Sequence, residues 1–324
     1  MPIDFNPHIQ FNSSINTPHR VIQQSVAFTG QLEKDTFTKS VKVDSSNVDN
    51  KYEGLKIEKK SFGTIKQTGE EATLYTITNK NGASVDLSTF GATITGIKIP
   101  DKDGKIKDVT QGYDNVTPYE ESPVGHAGGT IGPYANKISD GKFSINWEVY
   151  TLECNIDHGK SHSHGGTQGF DTKNWKANVL KDGIEFTYSK KDMESGYPGN
   201  VDASVTYKFD NDNNLHIIYK AKSDKDTVIN MTNHTYFNLD GAENTQENSV
   251  YEHIVTLPNS SKITRTNEIA IPTGELIDVE NTPFDFKTPH KIADVIDLEH
   301  EQMSIGSGFD QNYCIDDYDG KSLV

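Results

Sequence analysis

The sequence predicts an all-β protein, a large antiparallel β-sandwich preceded by a polar N-terminal extension. Three observations lead there. Runs of alternating apolar and polar residues recur from Ser61 onward, turn-forming pairs separate them, and few stretches carry a helical period. Residues 73–78 alternate, and Asn81-Gly82 then supplies the positive-φ positions of a tight hairpin. Residues 93–99 alternate again and stop at Pro100-Asp101, with Asp103-Gly104 as a second hairpin signal. Further strands are expected over 143–147, 184–188, 205–209 and 215–219, the last two flanking the turn-rich Asp210-Asn211-Asp212-Asn213-Asn214. Residues 228–231 and 253–257 continue the series. Helices are expected only near 118–122 and 292–299, both short. No glycine-rich phosphate loop follows a strand, which excludes the common nucleotide-binding folds.

Residues 1–58 read differently. They are rich in Asn, Ser, Thr, Gln, Lys and Asp, have no sustained period, and are expected to form a flexible extension ahead of a domain spanning 59–324. Ser45-Ser46-Asn47-Val48-Asp49-Asn50 reads as solvated linker, and the apolar patch Val26-Ala27-Phe28-Thr29-Gly30 as a segment that docks or recognises. Across the 324 residues, 31 basic side chains stand against 47 acidic ones, a net charge of −16. That balance disfavours nucleic acid and anionic membrane surfaces as partners. No apolar run approaches the ~18–20 residues needed to cross a bilayer. The N-terminus has neither a basic n-region nor an apolar h-region, so a cytoplasmic protein is expected. The two cysteines, Cys154 and Cys314, argue against a disulfide scaffold or a Cys-built metal site.

Three clusters could carry chemistry. His158, His162 and His164 crowd one stretch followed by Gly165-Gly166. They fit a polar surface loop, a zinc pair in want of a third ligand, or a site for a polyhydroxylated ligand that the glycines let approach the backbone. Thr232-Asn233-His234-Thr235-Tyr236-Phe237-Asn238-Leu239 follows a β run and surrounds His234 with amides and hydroxyls able to fix its tautomer. An ordinary imidazole titrates near pH ~6.5, which suits proton transfer, and a buried structural histidine is the alternative. Gly308-Phe309-Asp310-Gln311-Asn312-Tyr313 sets a carboxylate beside an aromatic ring, although a lone Asp is often a turn residue. Tyr134, Trp175, Tyr197 and Tyr236 could stack on a sugar ring or belong to the core.

These blocks occur in an order that resembles the aldose 1-epimerases (galactose mutarotases). Gly132-Pro133-Tyr134-Ala135-Asn136-Lys137-Ile138, His164-Gly165-Gly166, Gly196-Tyr197-Pro198-Gly199, the His234 block and the Asp310 block all align. Phe90-Gly91-Ala92-Thr93-Ile94, Gly112-Tyr113-Asp114, Pro272-Thr273-Gly274-Glu275 and Phe284-Asp285-Phe286 extend the likeness from about Ser61 to the end. The resemblance implies the supersandwich fold and the interconversion of hexose anomers by acid-base ring opening, with no metal or cofactor and a monosaccharide such as glucose or galactose as partner. It implies His234 as general acid, and His164 as a catalytic and substrate-orienting residue at the ring oxygen or an adjacent hydroxyl. Asn136, Lys137 and Asp310 are implied as binders of sugar hydroxyls. A monomer or weak homodimer is expected.

The chain departs from the family pattern. Lys137 stands where the family usually has Arg, and an ammonium cannot reproduce the planar guanidinium fork. Pro133 also replaces an Arg, and Gln311 stands where His is common. The family's general base is a glutamate beyond the Asp310 block, whereas no glutamate follows Glu301 here. The expectation is therefore a C-terminally incomplete domain, with Tyr313-Cys314-Ile315 starting a strand whose hairpin partner is missing. Two alternatives accompany the enzyme: a non-catalytic carbohydrate-binding protein, and a hexose-phosphate mutarotase, which the scarcity of arginine disfavours.

Overall fold

The computed structural model describes residues 21–29, 50–121, 125–243 and 249–317. They fall into two compact units, one reaching to Glu243 and one made of 249–317.

The first unit is built on two five-stranded antiparallel sheets. Strand β1 is Val21–Thr29, and β2 to β6 are Lys56–Thr64, Glu71–Thr78, Ser84–Ser88, Thr93–Pro100 and Ile106–Asp108. A short helix, α1 (Thr117–Glu121), leads to five brief strands. These are β7 (Thr130–Ile131), β8 (Lys137–Ser139), β9 (Lys142–Ile145), β10 (Glu148–Thr151) and β11 (Ser161–Ser163). The second large sheet adds β12 (Lys176–Val179), β13 (Ile184–Lys190), β14 (Val201–Phe209) and β15 (Asn214–Ser223). Strand β16 (Thr232–Asn233) ends the series. The sheet orders are β2-β3-β4-β5-β6 and β1-β15-β14-β13-β12.

Period-two alternation drives the two sheets together. On β14, Val201, Ala203, Val205, Tyr207 and Phe209 all face inward and meet Val85, Leu87, Ile94 and Ile97 of the other sheet in one core. Burying each such side chain contributes roughly 1.5–3 kcal/mol, which is why the alternating pattern specifies face as well as strand. Strand β4 is buried at all five positions, and its Asp86 is held by Lys98 at 2.6 Å. Gly82 (φ 84°) and Gly104 (φ 78°) turn the two expected hairpins.

Some elements differ from the sequence reading. The strand expected over 143–147 ends at Ile145, because Asn146 (φ 50°) and Trp147 (φ 70°) form the turn into β10 and leave Trp147 fully exposed. Residues 228–231 form no strand. Ile229 and Met231 are buried, but Asn230 bonds the Pro133–Ala135 segment through a single bridge rather than a ladder. The patch at 26–29 lies in β1, which pairs along β15 with Val21 opposite Lys222 and Thr29 opposite Asn214. The expected boundary at 58 falls inside β2.

The second unit has its own small core of Ile263, Val279, Phe284 and Met303. Its strands are β17 (Ile254–Val255), β18 (Lys262–Thr266), β19 (Pro272–Asp278), β20 (His290–Lys291) and β21 (Tyr313–Cys314). They form the three-stranded sheet β19-β18-β21 and the pair β17-β20. Two short helices, α2 (Ile292–Val295) and α3 (Glu301–Gly306), complete it. Strand β21 pairs with β18, Tyr313 opposite Ile263. Helix α3 lies past the helical stretch read from the sequence. Its start is set by His300, whose ring nitrogen caps the Gln302 N–H. Among the described residues no helix is long and apolar enough to cross a membrane.

Candidate active site

Two short ladders of the first unit converge three histidines. Strand β16 pairs with β7, Thr232 opposite Ile131, and the pairing continues past the strand ends. The His234 N–H donates to Gly129 O (3.0 Å), the Gly128 N–H donates to His234 O (2.9 Å), and the Gly129 N–H closes a turn on His126 O (3.0 Å). His126 and His234 are thereby neighbours although 108 residues separate them, from 234 − 126. The second ladder pairs β11 with β8, Ser163 opposite Lys137, so His164 emerges beside Asn136. Bonds from Ala135 N–H to Asn230 O (2.8 Å) and Asn230 N–H to Pro133 O (2.7 Å) tie the ladders together.

The ring centroids form a triangle: 4.8 Å from His126 to His164, 5.7 Å from His126 to His234, and 5.3 Å from His164 to His234. The Tyr236 ring lies 4.9 Å from His234. Three imidazoles at this spacing cannot all be charged. Burial, and then Coulombic repulsion from the neighbouring His126 and His234 rings, push His164 down to about 3. Burial and His126 also lower His234, while the Asp171 carboxylate opposes them. The His164 tautomer follows from its surroundings: Nδ1 accepts the Asn136 N–H at 3.1 Å, which makes Nε2 the N–H donor. His164 is therefore a neutral hydrogen-bond donor at working pH.

Because an unfolded histidine titrates near pH ~6.5, the unfolded chain binds more protons than the native one between about pH 6.5 and 3. Stability should fall across that window as pH drops, and His164→Gln should remove this component. A urea-midpoint series from pH 7 to 3.5 tests it, with a shallower acid slope expected in the variant. Equal slopes would show that His164 is not held neutral.

His162 takes no part in the cluster. It is fully buried, its Nδ1–H donates to Glu153 O (2.6 Å), and its Nε2 accepts the Tyr197 hydroxyl (2.7 Å). Both nitrogens are committed, so His162 is a buried structural histidine, neither part of the polar surface loop nor half of the zinc pair that the sequence suggested for this stretch. Among the described residues no set of three or more His, Cys, Asp or Glu side chains has a metal-binding arrangement. The glycines after His164 serve the fold. At Gly165 (φ 85°) a Cβ would meet Gly132 O at 2.1 Å, so the residue admits the protein's own backbone rather than a ligand. The Gly196-Tyr197-Pro198-Gly199 block is pinned by buried Lys190, whose ammonium donates to the carbonyls of Lys191, Tyr197 and Gly199 at 2.8–2.9 Å. This holds Tyr197 against His162, and His162 holds the strand that delivers His164.

The remaining expected residues distribute as follows. Asn136 is exposed beside His164 in a left-handed conformation (φ 64°), with its side-chain oxygen accepting the Lys137 N–H at 2.8 Å. The Lys137 ammonium sits 3.2 Å from Asp157 in a half-buried ion pair. Asp310 belongs to the second unit, where its N–H donates to Gln311 Oε1 (3.1 Å). Gln311 also donates to Gln302 O (2.6 Å), which gives that residue a structural role in the turn. Of the four aromatic candidates, Trp175 and Tyr197 are core, Tyr134 is half-buried, and Tyr236 is 42% exposed beside His234.

The sequence reading missed His126 and Asp171. His126 Nδ1 lies 2.6 Å from Asp171 Oδ2, and the pair is mostly buried. The only local signal was a histidine set among glycines in Gly125-His126-Ala127-Gly128-Gly129, a pattern like that at His164. Nothing in one dimension joins it to an aspartate 45 positions away.

Comparison with known proteins agrees with the fold and the motif order. The aldose 1-epimerase family model matches residues 73–323. The chain is 35% identical over 231 residues to a galactose mutarotase of Bos taurus, covering 71% of this chain and 64% of that protein. It is 32% identical over 258 residues to an aldose 1-epimerase of Escherichia coli, covering 79% and 72%. A crystal structure of galactose 1-epimerase from Lactobacillus acidophilus superposes with a TM-score of 0.69 at 25% identity, covering 83% of this chain and 76% of that one. The chain spans about two thirds or less of the length of the mammalian mutarotases it matches. With most of the chain matched by the family model and by relatives above 30% identity, and with a β-sandwich that converges the expected histidines, this chain belongs to the aldose 1-epimerase family.

Proposed function

We propose that the chain interconverts the α and β anomers of a hexose such as glucose or galactose. Mutarotation needs a proton delivered to the ring oxygen and another removed from the C1 hydroxyl, and correctly placed side chains suffice for both. His234 is the general acid. His164, held as a neutral Nε2–H donor, orients the sugar through the ring oxygen or a neighbouring hydroxyl. Asn136 and Lys137 hydrogen-bond further hydroxyls, with Lys137 sharing its cation with Asp157. Asp310, as a carboxylate able to accept two hydroxyl donors, senses sugar configuration. Tyr236 offers an exposed ring beside His234 for the apolar face of the pyranose. The supporting observation is the convergence of His164 and His234 to 5.3 Å with a tautomer that His164 can use only as a donor.

Polarimetry on freshly dissolved α-glucose and α-galactose tests this reading. Catalysed, saturable decay of optical rotation is expected. The uncatalysed rate together with saturable sugar binding would replace the enzyme with a carbohydrate-binding protein.

A further inference from the structure

The geometry points to Asp157 as a further positioning residue of the proposed sugar site: its carboxylate holds the Lys137 ammonium in the place from which that cation meets a sugar hydroxyl. The inference rests on the reading of Lys137 as a sugar-binding residue given above, and deepens it.

Three observations carry it. The first is the pair itself. The Lys137 Nζ lies astride the carboxylate, 3.3 Å from Asp157 Oδ1 and 3.2 Å from Oδ2. The two side chains are only 18% and 19% exposed. A lysine ammonium is a compact charge on a flexible four-carbon stem and has no direction of its own. Two carboxylate oxygens supply that direction before any ligand arrives, so the stem loses its rotamer freedom on folding rather than on binding. An ion pair so far out of water returns little net stability, which leaves orientation as its main effect. The ammonium carries three N–H donors, so a carboxylate contact does not by itself prevent donation to a hydroxyl.

The second observation is place. Lys137 follows Asn136 and stands opposite Ser163 in the β8–β11 ladder, and His164 comes next. The His164 N–H donates to Asn136 O at 3.3 Å, which continues the pairing past the strand end. The Lys137 cation lies close enough to be among the charges that disfavour a proton on His164.

The third is the backbone that delivers the carboxylate. Asp157 (φ 53°) and His158 (φ 56°) are both left-handed, ahead of Gly159 at 81°. Consecutive non-glycine residues in that region are strained and persist only where the surroundings hold them. Here Ile156 and Ser161 exchange N–H···O bonds of 3.2 and 3.4 Å, and the Gly159 N–H donates to Ile156 O at 3.0 Å. The Asp140 N–H donates to Lys160 O, also at 3.0 Å. Asn155 fastens the base of the turn to β11, its side chain bonding both the Ser163 N–H (2.8 Å) and the Ser163 carbonyl (3.2 Å). His158 is exposed at this turn, so Asp157 is the side chain that the conformation directs at a partner. The strand that places His164 therefore also anchors the carboxylate that places Lys137.

The test uses the full chain with D-galactose and D-glucose as probes. Asp157→Asn keeps the size of the side chain and a residue type that tolerates left-handed backbone, and removes only the charge. It should raise KM, and the galactose Kd from an NMR titration, by roughly ten- to a hundredfold, the scale of one hydrogen bond to a charged group. The kcat should change little, because a binding contact common to ground and transition states is what weakens. Lys137→Met should raise KM and Kd to a similar extent. The double variant Asp157→Asn/Lys137→Met should be no worse than Lys137→Met alone, because Asp157 acts through the ammonium. A merely structural Asp157 would instead lower kcat and the urea midpoint, and its loss would add to that of Lys137. A folded Asp157→Asn or Lys137→Met with wild-type KM and Kd, or losses that add in the double variant, overturns the proposal. If the wild-type chain fails to speed anomer exchange, yet Asp157→Asn weakens galactose binding without adding to Lys137→Met, the mutarotase reading falls and the role of Asp157 stands. Should Asp157→Asn not fold, Asp157→Gly, which suits the left-handed backbone best, takes its place with the same expectations.

Discussion

His234→Ala is expected to lower the rate of anomer interconversion by ~10²–10⁴, the usual scale for loss of a general acid. The side chain lies at the centre of the proposed chemistry, within 6 Å of two other imidazole rings and of Tyr236. The backbone at 234 is held by β7–β16 pairing through its own N–H and C=O, so removing the ring should leave the ladder in place. The measurement is polarimetric kcat on α-galactose, with far-UV circular dichroism and a urea midpoint to show that the sandwich is intact. A folded variant with wild-type turnover would remove the acid from His234.

Trp175→Ala should destabilise the first unit by about 3–5 kcal/mol, the range for truncating a large aromatic in a packed core. Trp175 is 2% exposed, its indole N–H donates to Phe170 O at 2.9 Å, and its ring meets Phe170 and Tyr188 at 5.6 Å. The effect should also reach the site. Phe170 packs where a Cβ on Gly132 would lie 2.3 Å from its ring, and the next residue is Asp171. Loosening Phe170 therefore frees the carboxylate that holds His126. Urea denaturation gives the stability, and anomer exchange of the still-folded fraction gives the coupling. A loss under ~1 kcal/mol would mean that the neighbours collapse into the space.

The extent to which the sequence could be read depended on whether a feature was local. Alternation along 205–209 and 215–219 announced β14 and β15 because burial on one face of a sheet imposes period two on consecutive residues. The same logic misread 228–231, where burial of Ile229 and Met231 mimics a strand while the backbone bonds go to another segment. It overran at Trp147, because a hairpin turn with two positive-φ residues carried no glycine to mark it. The site divided in the same way. His164 and His234 stood in recognisable blocks, whereas His126 and Asp171 become partners only through pairing of β7 with β16 and the packing of Phe170 beneath Gly132.

Alternation, hairpin signals and the order of the motif blocks by themselves determined the all-β class, the family resemblance and two of the three clustered imidazoles. Tertiary structure alone decided which histidines cluster and which is locked into the fold. Protonation and tautomer depend on what lies within a few ångströms in space: a carbonyl and a phenol for His162, a backbone N–H for His164, a carboxylate for His126. None of those neighbours is adjacent in the chain, so no one-dimensional pattern could have named them.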